Sequence, residues 1–158
     1  MAARDLVIED VTDMQRMVII DYRKPSGSKR FYLVDLEQDT AEAFLVAHGR
    51  GSDTDHDGMA EQFSNTHGSK MSSLGAFVTA ESYYGAHGLS LRLDGLEVIN
   101  DAARARAIVI HGADYVTPMR EVLGRSWGCP ALEQEVAQRL IPEIAGGTFL
   151  YAIGPGGE

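Results

Sequence analysis

Short apolar runs separated by polar, glycine-rich punctuation make up most of the chain. Residues 17–20 (MVII) read as a buried strand ending at Asp21. Pro25-Ser26-Gly27-Ser28 then has turn chemistry, because proline pre-sets φ and glycine accepts positive φ. Segments 30–36 (RFYLVDL) and 42–47 (EAFLVA) are predicted as the second and third strands of a meander, divided by the polar turn 37–40. Residues 48–73 are polar and turn-rich. They predict one long loop, a length that in a compact domain marks a functional or mobile segment, here a lid or wall of a cleft. Strands resume at 75–80 (GAFVTA), 89–93 (LSLRL), 105–110 (ARAIVI) and 147–153 (GTFLYAI). The alternation in LSLRL gives it one wet face, whereas AIVI is an apolar run typical of a central strand.

One stretch has a clear helical period. Leu132, Val136, Leu140 and Ile144 recur every four residues and form one apolar face. Pro130 suits the first turn of that helix, and Pro142 is expected to kink or end it. A weaker helix is predicted over 100–106. Seven short strands with one or two helices predict a mainly β, β-rich α+β fold, sandwich-like, in a single domain spanning 1–158. No internal repeat, low-complexity segment or linker interrupts it.

Charge narrows the function classes. The chain has 158 residues, a net charge of −9 and a pI near 4.9. A nucleic-acid binder needs a basic face, and so does a protein that docks on anionic lipid. No run of about 18 apolar residues predicts a membrane-spanning helix. Met1-Ala2-Ala3-Arg4-Asp5 lacks the basic start and apolar stretch of a secretory signal. The expectation is a cytosolic protein or a mature, trimmed form. One cysteine makes neither an internal disulfide nor a Cys-rich zinc site, so it is either an inert core residue or a reagent.

That cysteine, Cys129, follows Gly128 and immediately precedes the helical pattern. The expected position is at or near a helix N-cap, where unpaired N–H groups and the helix dipole favour a thiolate. The same N–H groups suit an oxyanion, and Gly128 lets a substrate approach the backbone. A candidate base is His111, which ends the apolar strand IVIHG; His48, also at a strand end, is the fallback. Asp53-Thr54-Asp55-His56-Asp57-Gly58 matches the first half of a calcium loop, but Ser64 stands where a bidentate glutamate belongs. The expectation is a solvated acidic loop and no metal site. Arg104 and Arg106 read as solvated charges.

HGADYV (111–116) followed by GRSWGCPAL (124–132) resembles the His-Gly … Ser-x-Gly-Cys signature of YkuD-like L,D-transpeptidase catalytic domains. SSLGAF (72–77) is similar to that family's Thr-Pro-x-Gly-x-Phe element. HGLSLRLDGLE (87–97) and IDYRKPSGSKRFYLVDL (20–36) resemble the branch of murein L,D-transpeptidase catalytic domains. The similarity runs from about 18 to 153. It implies a β-sandwich-like catalytic fold with one main helix after the nucleophile.

The resemblance further implies acyl transfer from a peptidoglycan stem tetrapeptide to an amine through a thioester. Cys129 would be the nucleophile and His111 the base. The Gly112 carbonyl would orient the imidazole, and the Gly128 and Cys129 N–H groups would form the oxyanion hole. Trp127 stands where many members have histidine, and Pro130-Ala131 where many have Ile/Val-Arg. Arg125 and Arg92 are available to take over carboxylate recognition, with Arg50 next. Ser126, Trp127 and His87 complete the substrate-binding candidates. A thiolate and an imidazole suffice, so no cofactor is implied. The implied partners are stem peptides, and the implied compartment is periplasmic or otherwise extracytoplasmic. The competing readings are a thiol hydrolase on the same scaffold and a non-catalytic cell-wall binding module.

Overall fold

A computed structural model of the chain describes residues 10–155. The start-segment reading of residues 1–5 lies outside the described residues. Eight strands are present: β1 (Arg16–Asp21), β2 (Phe31–Asp35), β3 (Thr40–Phe44), β4 (Gly75–Gly85), β5 (Gly88–Gly95), β6 (Val109–Gly112), β7 (Ala131–Leu132) and β8 (Phe149–Ile153). They form one mixed sheet in the order β3-β2-β1-β8-β4-β5-β6-β7. β1 pairs with β8, and β6 with β7, in parallel; the other pairings are antiparallel. Three residues past β3, Ala47 N–H donates to the Ala131 carbonyl of β7 at 2.8 Å. The two ends of the sheet are thus joined, and it curls around its own apolar face.

That enclosed face and the helix α1 (Gln134–Ile144) form the main core. The helix buries Ala137, Leu140, Ile141 and Ile144, the i, i+3, i+4, i+7 stripe that one helical face requires. Val18, Ile20, Phe31, Phe77, Leu91, Leu93, Ile110 and Leu150 meet it from the sheet. Thr79 of β4 locks the helix end. Its hydroxyl donates to the Ile144 carbonyl at 2.6 Å and accepts from the N–H groups of Gly147 and Thr148.

The structure corrects several sequence expectations. The helix begins at Gln134, so Leu132 lies on β7 and Pro130 precedes that strand. Val136 is only half-buried, because the true stripe is rotated toward Ala137 and Ile141. Pro142 is accommodated in the last turn, two residues before the helix ends. Residues 100–106 are successive turns; the bonds there mix i→i−3 with i→i−4 and never settle into a ladder. The strand predicted at 105–110 starts later, at Val109, because Ala107 takes a left-handed φ of 56° that breaks extended pairing. Among the described residues no helix is long and apolar enough to cross a membrane.

Candidate functional site

β6 delivers His111 and Gly112 to the sheet end, with His111 in register with Ser90 of β5. The strand is buried along its length, so the imidazole is 2% exposed and held by its surroundings. His111 Nδ1 lies 2.9 Å from the Gly112 carbonyl oxygen. A carbonyl only accepts, so Nδ1 carries the proton and Nε2 is the free basic nitrogen. Burial lowers the His111 pKa; the Gly112 contact opposes this and the neighbouring His87 adds to it. His87 sits in the tight β4–β5 turn and stacks on His111, ring centroids 4.2 Å apart and planes 14° apart. Gly112 is required by packing, since a Cβ there would come 2.9 Å from the Cα of Gln134 at the start of α1.

Cys129 closes the site from the other side. His111 and Cys129 line one cleft of about 240 Å³ together with His87, Tyr115, Arg125, Ser126 and Trp127. The Cys129 thiol donates to the Ala107 carbonyl at 3.3 Å and accepts the Val109 N–H at 3.4 Å. The expected helix N-cap is corrected. β7 intervenes, the cap residue is Glu133, and the dipole of α1 does not begin at the thiol. Burial instead raises the thiol pKa, against the Val109 N–H and the Arg106 charge, which lower it. With the imidazole pKa lowered and the thiol pKa raised, the resting pair is neutral. Easy alkylation at low pH, the consequence of an N-cap position, is therefore not expected.

Gly128 meets two demands at once. Its φ is +119°, and a Cβ would fall 2.8 Å from the Met71 carbonyl. Its N–H points to Ser126 Oγ at 3.2 Å, and that hydroxyl donates to the Cys129 carbonyl at 2.6 Å. Of the two N–H groups expected to receive an oxyanion, Gly128's is thus engaged within the turn. The Cys129 N–H has no partner among the described residues.

The remaining candidates separate by position. Arg125 lines the cleft while one of its terminal nitrogens donates to the Asp53 carbonyl. Trp127 stands at the cleft, 71% exposed, with Lys70 Nζ 4.6 Å from its ring centroid. Arg92 is drawn elsewhere: it pairs with Glu81 at 3.3 Å and lies over Tyr83, and it does not line the cleft. Arg50 touches the cleft wall through its backbone, its N–H donating to the Ser126 carbonyl, and its side chain is exposed. Tyr115, four residues after His111 in HGADYV, is a cleft residue that the sequence reading missed. Its pKa is pushed up to about 12, by burial first and by Cys129 second. Its closeness to His111 in the motif was the available signal.

The loop over 48–73 backs the cleft wall and does not line the cleft. Gly49 bridges Ser126, and the His48 carbonyl accepts the Ser126 N–H at 3.0 Å. The loop is held from inside by a buried polar chain. Arg30, fully buried, forks onto the Val46 carbonyl, donates to the Lys24 carbonyl, and reaches His48 Nδ1 at 2.8 Å. His48 Nε2 donates to Asp53 Oδ2 at 2.9 Å. Asp53 also accepts the N–H groups of Asp57 and Gly58. Burial opposes the charge on Asp53, but these bonds outweigh it and hold its pKa down.

Asp53 is therefore a buried structural acceptor, not a solvated charge. Its ligand atom lies within 4.8 Å of those of Asp55 and Asp57, and its lone pairs already serve the loop. His48, the fallback base, has both ring nitrogens occupied and does not line the cleft.

Burial, with the Arg30 charge, pushes the His48 pKa down to about 4, against the opposing pull of Asp53. An unfolded histidine titrates near 6.5. Between those values the unfolded chain binds a proton that the folded chain refuses. Stability present above about pH 6.5 is therefore lost as pH falls toward 4, by roughly 3 kcal/mol. Urea melts at pH 7.5, 5.5 and 4.5 should show the midpoint falling steadily. A midpoint flat over that range would mean that His48 protonates without cost.

A family profile described as the L,D-transpeptidase catalytic domain matches residues 3–153. No curated protein matches the chain. Among solved structures, an L,D-transpeptidase from Mycobacterium smegmatis superposes with a TM-score of 0.56 at 9% identity, over 89% of this chain and 59% of that one. L,D-transpeptidase 3 from Mycobacterium tuberculosis gives 0.57 at 10% identity, over 88% and 61%. The chain thus spans about three fifths of the length of these structures. At such identities the superpositions establish a common fold, and the profile match over nearly the whole chain establishes the kinship: this protein belongs to the L,D-transpeptidase catalytic domain family.

Proposed function

We propose that this domain is a cysteine acyltransferase acting on peptidoglycan stem peptides, outside the inner membrane. The observation that carries the reading is the pairing of Cys129 with His111 in one cleft, the imidazole tautomer set by the Gly112 carbonyl. As Cys129 Sγ bonds to the scissile carbonyl carbon, its proton passes to His111 Nε2 and negative charge moves onto the carbonyl oxygen. The Cys129 N–H receives that charge. Collapse breaks the C–N bond, and the imidazolium returns its proton to the leaving amine, which gives a thioester. An acceptor amine then attacks the thioester. Its proton goes to His111, and the C–S bond breaks. The neutral resting pair makes the first transfer part of the reaction itself.

A stem-peptide carboxylate needs a local cation in a chain of net charge −9. Arg125 on the cleft wall and Lys70 over the cleft residue Trp127 are cations placed to supply it. The test is intact mass after incubation with a purified stem tetrapeptide. The expected adduct is the peptide less its terminal residue, mapped to Cys129 and absent in Cys129→Ala. Adding an amine acceptor should turn that adduct into a cross-linked product, whereas release to water alone would make the enzyme a hydrolase. Turnover without any Cys129 adduct, undiminished in Cys129→Ala, would overturn the reading.

A further inference from the structure

The segment from Arg106 to Val109 wraps the thiol. The Ala107 carbonyl accepts its hydrogen and the Val109 N–H donates to its sulfur. Ala107 holds the left-handed φ of 56°, which a non-glycine residue rarely adopts, and so turns its carbonyl onto Sγ. Arg106, just before it, was expected to be a solvated charge; the structure folds it inward. Its Nη1 donates to the Ser64 carbonyl at 2.7 Å and to Ser73 Oγ at 2.9 Å. Its Nη2 donates to Ser69 Oγ at 3.0 Å and to the Met71 carbonyl at 2.9 Å.

All four partners are neutral, and Nε is buried with no hydrogen-bond partner among the described residues. Among the described residues no carboxylate pairs with this guanidinium. Arg106 is half-buried, and a cation partly withdrawn from water without a counter-ion costs free energy to hold. The Met71 carbonyl it binds is also the one against which Gly128 packs, next to the nucleophile.

We propose that Arg106 is a positioning residue whose unpaired charge is the built-in counter-ion of the Cys129 thiolate. The proposal rests on Cys129 being the reacting thiol. The groups around that thiol are His111 from β6, Tyr115 from the following loop, Tyr22 after β1, and Arg106; Arg125 and His87 face the same cleft. Of these, Arg106 is the permanent cation that begins the strap around the sulfur, and its Nη2 holds the Met71 carbonyl that packs against Gly128, the residue before Cys129. When the proton leaves Sγ, the strap gains the anion it lacks at rest.

Cys129 is the single cysteine, so the pH dependence of its alkylation by iodoacetamide in the folded chain reads its ionisation without any peptide substrate. A failure here is therefore separable from a failure of acyl transfer. Arg106→Gln should raise the midpoint of that profile by about one pH unit, cutting the thiolate fraction at neutral pH about tenfold. Arg106→Lys keeps the charge and loses the fork, and Ser69→Ala/Ser73→Ala removes two strap partners. Both should stay within about 0.3 unit of wild type. A folded Arg106→Gln with a wild-type profile, or equal shifts in the Gln and Lys variants, overturns the proposal. If Arg106→Gln does not fold, Arg106→Met takes its place against Arg106→Lys: a midpoint raised by about one unit in the neutral variant alone sustains the proposal, and a wild-type profile or equal shifts overturn it.

Discussion

His111→Ala should lower kcat/KM on a stem tetrapeptide by roughly 10²- to 10⁴-fold, the range for removing a positioned general base, while the thermal midpoint falls by only a few degrees for the lost ring and the unpaired Gly112 carbonyl. The imidazole supplies the basic Nε2 and makes one hydrogen bond, to the Gly112 carbonyl of its neighbour, so its removal orphans little else. The stacked His87 does not substitute. It is exposed, and among the described residues no carbonyl fixes its tautomer. His48→Ala should show the opposite pattern. Stability falls because Arg30 and Asp53 lose the ring between them, and the rate per folded molecule stays within several-fold. Steady-state kinetics at a temperature where both variants are folded checks the pair. His111→Ala within tenfold of wild type would remove this residue from proton transfer.

Arg30→Leu should be the most destabilising single change on the cleft's supporting face. The side chain is fully buried and serves the Val46 carbonyl, the Lys24 carbonyl and His48 Nδ1. Burial lowers its pKa to about 10, which still leaves it charged at neutral pH. Leucine fills part of the volume and leaves three acceptors unpaired, the Val46 carbonyl and His48 Nδ1 buried and the Lys24 carbonyl partly so. At about 1–3 kcal/mol for each orphaned group, less the relief of no longer burying a charge, the loss is roughly 3–5 kcal/mol. For a chain of this size that lowers Tm by roughly 6–20 °C. Arg30→Lys should fall between, since an ammonium keeps the charge but cannot fork. Calorimetry of the three proteins tests this. A leucine variant melting within about 2 °C of wild type would mean that water or a rearranged loop satisfies those acceptors.

The damage should also reach the cleft. His48 and Asp53 lie at the start of the loop that pairs with Ser126, and Arg125 reaches back to the Asp53 carbonyl. A loosened loop therefore slackens the wall that carries Arg125, Ser126 and Trp127.

Local pattern by itself determined the strands at β1, β2, β4, β5 and β8, the presence of one main helix, and the motif that marks Cys129 and His111. Those features are written in neighbouring residues: alternation, runs of β-branched side chains, a four-residue period, a glycine beside a cysteine. Only the tertiary structure decided where the helix starts. Ala131 and Leu132 are helix-compatible residues, but β6 offers them an open edge, and Ala47 then closes the sheet onto Ala131. That pairing moves the helix dipole away from Cys129 and leaves the thiol's ionisation to burial, opposed by the Val109 N–H and the Arg106 charge.

The fate of the charges was equally beyond the sequence. Arg30, Arg106 and Asp53 look like any surface residues in a polar stretch, because nothing local records which carbonyls and hydroxyls from distant segments converge on them. Their partners in Arg30's case lie 6 to 18 residues away, and in Arg106's case 33 to 42. A charge is drawn wholly or partly inward only when the fold brings enough acceptors to one point, and that is a property of the closed sheet and not of any short window of the chain.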